Sequence, residues 1–142
     1  MKIAIENQTA KIINLEKLEA LIKNVIVDEL GNEPNTELDL LLTDDAEIAK
    51  LNAKYRKKEG PTDVLSFEYG LDEDVIGDMI ISLETIERQA KDYGNSFEEE
   101  LSLMIIHGLL HILGYEHEND EEEAKEMFQR QRKYFDKFVK EG

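Results

Sequence analysis

The sequence contains no cysteine among its 142 residues. Disulfide bonds are therefore excluded, and so is every metal site that depends on thiolate ligands. A metal ion would have to be held by nitrogen and oxygen ligands. The length suits a single domain with its own hydrophobic core, and we predict one domain over residues 1–142.

Long hydrophobic runs are also missing. The most apolar stretch, residues 101–113, is too short to cross a bilayer, and it contains two histidines. The N-terminal segment MKIAIENQTAK lacks the apolar core of a signal peptide. We therefore expect a soluble, cytoplasmic protein that has no membrane partner.

Positive charge is scarce. The chain has 33 Asp and Glu residues against 17 Lys and Arg residues, for a formal net charge of −16. This balance argues against tight nonspecific binding to nucleic acid, and we expect no DNA partner. The exception is KLNAKYRKK, residues 50–58, which contains five basic residues and no acidic one: Lys50, Lys54, Arg56, Lys57 and Lys58. A local basic patch on an acidic body is compatible with this pattern.

Hydrophobic periodicity and capping residues predict four strands and five helices in the order βαβα-ββ-ααα. The predicted strands are Lys2–Asn7, Glu37–Thr43, residues 63–69 and Val75–Ser82. The predicted helices run from the Asn14 cap to Gly31, from Thr43 or Asp44 to Gly60-Pro61, from Ser82 or Leu83 to Gly94, from the Ser96–Glu99 capping box to Leu113, and from an Asp120–Glu123 capping box onward. The third and fourth strands are candidates for an antiparallel pair.

This order predicts the α+β class, with mixed α/β layers and a small mixed sheet of about four strands. The helix over residues 101–113 is apolar on nearly every side, so we expect it to be central and buried, with other helices around it. Helical spacing predicts that Tyr55 of the second helix faces the core. It predicts the same for Met127, Phe128 and Gln131 of the last helix.

Three histidines are present, and all lie within HGLLHILGYEH: His107, His111 and His117. The first two are four residues apart, so on a helix both rings leave the same face one turn apart. Gly114 ends that helix, which lets the chain fold back and bring His117 near the pair. Three imidazoles with one open coordination position are typical of a catalytic metal site. Zinc is the default ion, and nickel or another borderline divalent ion is the alternative.

The residue after the first histidine is Gly108, in the middle of a helix, where glycine costs about 1 kcal/mol relative to alanine. That cost is explained if backbone or substrate approaches closely at this position. The spacing of the histidines matches that of metzincin proteases, but those enzymes need Glu directly after the first histidine as the general base. Glycine there makes a metalloprotease the least favoured function.

HGLLHILGYEH, with the acidic stretch and Met127 that follow, resembles the signature of the YbeY endoribonuclease family. LNAKYRKKEGPTDVLSF, residues 51–67, resembles that family's second conserved block, and GDMIIS, residues 77–82, its third. Together these blocks cover much of residues 50–127 in the expected order. Two positions depart from the pattern, since Glu116 stands where Asp is usual and Glu68 where Pro is usual.

The resemblance implies a zinc-dependent hydrolase that cleaves single-stranded RNA and acts in rRNA processing and ribosome quality control. Its implied partners are an rRNA precursor and the ribosome or ribosomal proteins. By position, His107, His111 and His117 would be the zinc ligands, and Arg56 would match the arginine in the family's cleft. The alternative is a ribosome-assembly binding module in which the metal only organises the fold.

The roles of the other candidate residues follow from their chemistry. Arg56 could bind phosphate with its planar guanidinium, or it could be a solvated arginine at a helix end. Glu116 could orient His117 or assist proton transfer, or it could be exposed to solvent. For Asp63, Ser66 and Asp78 we expect hydrogen bonding at the edge of the core.

Overall fold

The computed structural model describes residues 1–56, 63–115 and 121–140. Its elements are β1 (Lys2–Asn7), α1 (Leu15–Leu30), β2 (Glu37–Thr43), α2 (Asp45–Arg56), β3 (Val64–Glu68), β4 (Val75–Ser82), α3 (Leu83–Tyr93), α4 (Phe97–Ile112) and α5 (Glu121–Tyr134), followed by a π-helical segment (Phe135–Lys140). The predicted order and the α+β class are confirmed. In the described ranges, no helix is both long and apolar enough to span a membrane.

The four strands form one mixed sheet in the order β1-β2-β4-β3. β1, β2 and β4 are parallel, and β3 pairs with β4 in the antiparallel direction, as the sequence predicted. Met79 at the centre of β4 lies beside Leu40 of β2 and Ser66 of β3. β3 is therefore an edge strand of the sheet that the described residues form.

The two faces of the sheet differ because side chains alternate along each strand. Leu38, Leu40 and Leu42 of β2 are at most 2% exposed and lie on the same face as Met79 of β4. On that face α4 contacts β3 and β4, while α1 contacts β1. The opposite face includes Asp39 and is covered only in part, where α2 contacts β4.

Helix α4 is central and buried, as predicted. Nine of its sixteen residues are buried, and they occupy most of its circumference. Ser96 and Glu99 form the predicted capping box at its start, in which each side chain bonds the other's backbone amide. The helix ends at Ile112, with Leu113 as its C-cap, one residue before the predicted end.

Two predictions about the core are wrong. Tyr55 is 57% exposed, because it lies near the end of α2, where its ring packs edge-on against Phe67 instead of entering the core. Phe128 is 58% exposed, because the buried residues of α5 form only the narrow stripe Met127, Gln131 and Tyr134. The predicted capping residue Asp120 lies outside the described residues.

Candidate metal centre and its surroundings

His107 and His111 leave the same face of α4. Their ring centroids are 4.7 Å apart, and their ring planes are inclined by 81°. Both residues are only half-buried, although their neighbours Ile106, Leu109 and Leu110 are fully buried. The predicted placement of two imidazoles on one face is confirmed, and such a pair suits a borderline metal ion in its donor atoms and spacing.

His107 has a specific partner on another helix. Its Nδ1 lies 2.9 Å from the side-chain oxygen Oε1 of Gln131 on α5. An amide oxygen accepts hydrogen bonds, so this contact fits the tautomer of the imidazole that carries its proton on Nδ1. The neutral ring then has its lone pair on Nε2, which is the form in which histidine binds a metal.

Helix α4 stops abruptly after the second histidine. Gly114 has a φ angle of 108°, which a side chain would disfavour. The amide of Tyr115 donates to the carbonyl of Leu110 at 3.0 Å, and the amide of Gly114 donates to that of His111, also at 3.0 Å. This pattern is a Schellman motif, and it confirms that Gly114 ends the helix as the sequence predicted.

His117 and Glu116 follow this turn directly and lie outside the described residues. Within the ranges the structure describes, no group of three or more His, Asp or Glu side chains could hold a metal ion. The described part of the site therefore supplies two imidazoles. The assignment of His117 as a third ligand stays a prediction.

The glycine between the histidines has a packing role. A Cβ atom at Gly108 would lie 2.6 Å from Sδ of Met79, 3.1 Å from Oγ of Ser66 and 3.4 Å from Cγ2 of Val64. The α4 backbone is thus pressed against β3 and β4, which accounts for the close approach predicted at this residue. The Glu that a metzincin needs at this position would have room only if the side chains of Met79 and Ser66 shifted.

Arg56, at the end of α2, is bound to the edge of the sheet. Its Nη2 donates to the carbonyl oxygen of Ser66 at 2.8 Å, and its guanidinium carbon lies 5.7 Å from the ring centroid of Phe67. Tyr69 and Ile76 form a hydrogen-bonded pair, so Ser66, three residues before Tyr69, points its carbonyl to the outer side of β3. Arg56 is exposed, as a helix-end arginine would be, but it also caps this edge strand.

Ser66 connects the arginine to the histidine helix. Its carbonyl accepts the Arg56 hydrogen bond on the outer edge, while its hydroxyl faces Gly108, the residue next to His107. Ser66, at the centre of β3, therefore contacts both the predicted arginine and the helix that carries two of the predicted histidines. Lys57 and Lys58 lie outside the described residues.

The remaining candidates make the hydrogen bonds expected of them. Asp63 accepts from the backbone amide of Val64 at 2.8 Å and from Nε2 of Gln89 at 3.2 Å. Asp78 accepts a 2.6 Å hydrogen bond from the hydroxyl of Tyr69. These bonds give structural roles to Asp63, just before β3, and to Asp78, within β4.

A second feature, which the sequence analysis missed, lies on the opposite face of the sheet. It is a cavity of about 850 Å³ with an apolar floor and carboxylates from Glu6, Glu37, Asp39 and Asp78. Burial, together with the hydrogen bond and charge of Glu37 and the charge of Asp78, raises the pKa of Asp39 to about 6. An acidic residue inside the apolar strand ELDLLLT was the available signal.

Comparison with known proteins identifies the family to which the chain is similar. The family model described as "Endoribonuclease YbeY" matches residues 3–139. A protein named endoribonuclease YbeY from Petrotoga mobilis is 54% identical over 142 residues, which cover 99% of this chain and 98% of that protein. The one from Thermotoga maritima is 37% identical over 120 residues, covering 84% of this chain and 77% of that protein.

A solved structure agrees as well. The solution structure of a protein from Thermotoga maritima superposes with a TM-score of 0.69 at 34% identity, covering 98% of this chain and 90% of that one. The matching family model and relatives are named endoribonucleases, a class of hydrolases that act on RNA. The chain belongs to the endoribonuclease YbeY family.

Proposed function

We propose that this protein is a zinc-dependent endoribonuclease that prefers single-stranded RNA and acts in rRNA processing and ribosome quality control. Its zinc would be held by His107, His111 and His117. Its partners would be an rRNA precursor and the ribosome or ribosomal proteins. The observation that carries the proposal is the imidazole pair on α4, whose rings lie 4.7 Å apart in a chain of an endoribonuclease family.

Cleavage of a phosphodiester places negative charge on the phosphoryl oxygens in the transition state. When bound, zinc would supply Lewis-acid stabilisation of that charge and would lower the pKa of a water molecule to about 7. A nucleophile would then be available at neutral pH without the neighbouring Glu that a protease uses. The packing of Gly108 against Met79 is therefore compatible with this chemistry.

Basic residues of α2 would bind and orient the RNA. Arg56 has an exposed, permanently charged guanidinium that suits a phosphate, and its bond to the carbonyl of Ser66 holds it at the edge strand. Lys50 and Lys54 are exposed on the same helix and add positive charge along the path to that edge. This local charge would let RNA approach a chain whose net charge is −16.

The test compares zinc content and RNA cleavage in the same protein preparations. The wild type, His107→Gln and His111→Gln are purified, loaded with zinc and analysed by elemental mass spectrometry. Each is then incubated with a labelled single-stranded RNA and with its duplex. We expect close to one zinc per wild-type chain, cleavage of the single strand, and loss of both in the histidine variants.

Tyr93→Ala, which removes an exposed ring from α3, is the matched control and should behave like the wild type. Folded histidine variants that lose zinc and keep full cleavage would contradict the enzymatic proposal. The binding-module alternative requires folded histidine variants to rescue cells that lack the protein, whereas the proposed enzyme requires that they do not.

A further inference from the structure

Gln131 is an unusual residue for its position. Helix α5 buries three side chains, and Gln131 is the polar one, 8% exposed between Met127 and Tyr134. Burying an amide is unfavourable unless its polar atoms are hydrogen-bonded. Its Oε1 contacts Nδ1 of His107 at 2.9 Å, across 24 residues of sequence. A buried side chain of α5 thus supplies a hydrogen-bond acceptor to one ring nitrogen of His107.

We propose that Gln131 is the positioning residue of His107, an inference that rests on the proposed zinc site. Its amide oxygen holds the proton of the ring on Nδ1 and fixes the ring plane, so that Nε2 presents its lone pair to the metal. A histidine ligand whose second nitrogen is hydrogen-bonded binds metal more tightly, because its tautomer and orientation are set in advance. Gln131 itself touches neither metal nor RNA in this arrangement.

The surrounding contacts explain why this acceptor can be held steadily. Tyr134, one turn beyond Gln131, is fully buried, and its hydroxyl donates to Asp28 of α1 at 2.9 Å. Arg130, on the other side, forms an ion pair with Glu29 of α1 at 3.2 Å. The residues on both sides of Gln131 are therefore anchored to another helix, which limits how far its side chain can shift relative to α4.

The test substitutes the acceptor without changing its size. Gln131→Met removes the hydrogen-bond acceptor and keeps an apolar chain of similar volume, whereas Gln131→Glu keeps an acceptor oxygen in the same place. Gln129→Met, on an exposed position of the same helix, is the matched control. The zinc dissociation constant of each protein is measured by competition with a chromophoric chelator, and the unfolding of each metal-free protein by circular dichroism.

We expect zinc to bind about 10–100-fold more weakly to Gln131→Met than to the wild type. Gln131→Glu should restore the affinity to within a few-fold of wild type or better, and Gln129→Met should not change it. Nitrogen-detected NMR of the metal-free proteins, above the ordinary pKa of histidine, should show His107 protonated at Nδ1 in the wild type. In Gln131→Met the same ring should show a mixture of tautomers.

Two results would overturn the positioning role, and they are distinguishable. In the first, the wild type and folded Gln131→Met bind zinc with equal affinity, and His111→Gln loses binding. In that case Gln131 has only a packing role, and the proposed function survives. If the wild type binds no zinc at all, the proposed function fails and this inference fails with it. Both the proposed function and the positioning role are supported if the wild type binds zinc, Gln131→Met binds it more weakly, and Gln131→Glu restores the affinity.

Discussion

Gly108 and Met79 are in direct contact across the interface between helix α4 and strand β4. A Cβ atom at position 108 would lie 2.6 Å from the sulfur of Met79, which is closer than real Cβ contacts come. The helix can therefore approach the sheet only because this residue has no side chain. Since Gly108 directly follows His107, the distance of the histidine pair from the edge strand depends on the same contact.

Gly108→Ala should destabilise the protein. Alanine favours the helix by about 1 kcal/mol, but overpacking a core usually costs about 1–3 kcal/mol, so we expect a lower midpoint of urea unfolding. Adding Met79→Val should recover part of the loss by making room for the methyl group, and a double-mutant cycle measures this coupling. A higher unfolding midpoint for Gly108→Ala would show that helix propensity outweighs the contact.

Arg56→Ala should lower kcat/KM for RNA cleavage by about tenfold or more, since a lost charged hydrogen bond to phosphate is worth roughly 1.5–3 kcal/mol. Arg56→Lys should recover part of the activity through its charge. Arg132→Ala removes an exposed arginine from α5 and should leave cleavage unchanged. If Arg56→Ala lowers only the melting temperature, the arginine acts as a cap on the carbonyl of Ser66 and has no role with RNA.

The exposed lysines of α2 should make RNA binding depend on salt. For single strands, the slope of log affinity against log salt concentration falls by about 0.7 for each phosphate contact that is lost. We therefore expect Lys50→Gln and Lys54→Gln each to flatten the slope measured by fluorescence anisotropy. Lys17→Gln, on α1, should not change it. A flat response in the wild type would remove this helix from the RNA-binding surface.

Asp39 should make the protein less stable as the pH rises towards neutral. Its pKa is about 6 in the folded protein against an ordinary value of 3.8, so the folded state binds a proton more tightly than the unfolded state. The resulting stabilisation is fully present below about pH 4 and is lost as the pH rises through about 6. Urea unfolding at a series of pH values measures this change.

Asp39→Asn copies the protonated, uncharged form of Asp39. It should raise the free energy of unfolding at pH 7 by about 1–2 kcal/mol, since a pKa difference of one pH unit corresponds to 1.36 kcal/mol and Asp39 is only half-buried. The gain should vanish below about pH 4. Glu19→Gln, an exposed change on α1, is the control. Equal stability of Asp39→Asn and wild type at pH 7 would contradict the raised pKa.

Much of the fold could be predicted from local patterns. The capping box at Ser96, the helix stop at Gly114 and the strand over Val75–Ser82 all depend on neighbours within a few residues, and each is found as predicted. The two errors concern side chains at the border between the buried and the exposed face of a helix. Whether Tyr55 and Phe128 enter the core depends on how far each helix overlaps the next layer, and periodicity carries no information about that.

The candidate site also has features that local sequence predicts and features that depend on contacts between distant elements. That His107 and His111 share one face follows from their spacing, because four residues make about one helical turn. That Gln131 meets His107, that Arg56 binds the carbonyl of Ser66, and that Asp39 lies beside Asp78 are contacts between separate elements. No spacing in the sequence encodes these partners.

The sequence by itself determined the candidate donor atoms and the elements: imidazole nitrogens in a chain without thiolates, a buried helix that carries two of the imidazoles one turn apart, and a glycine that ends that helix. Only the tertiary structure decided which side chains surround those donors, because the packing of α4 between the sheet and α5 selects partners far apart along the chain. Local propensity acts over a few bonds, whereas the hydrogen bond to His107 and the contact at Gly108 exist only after the layers have been pressed together.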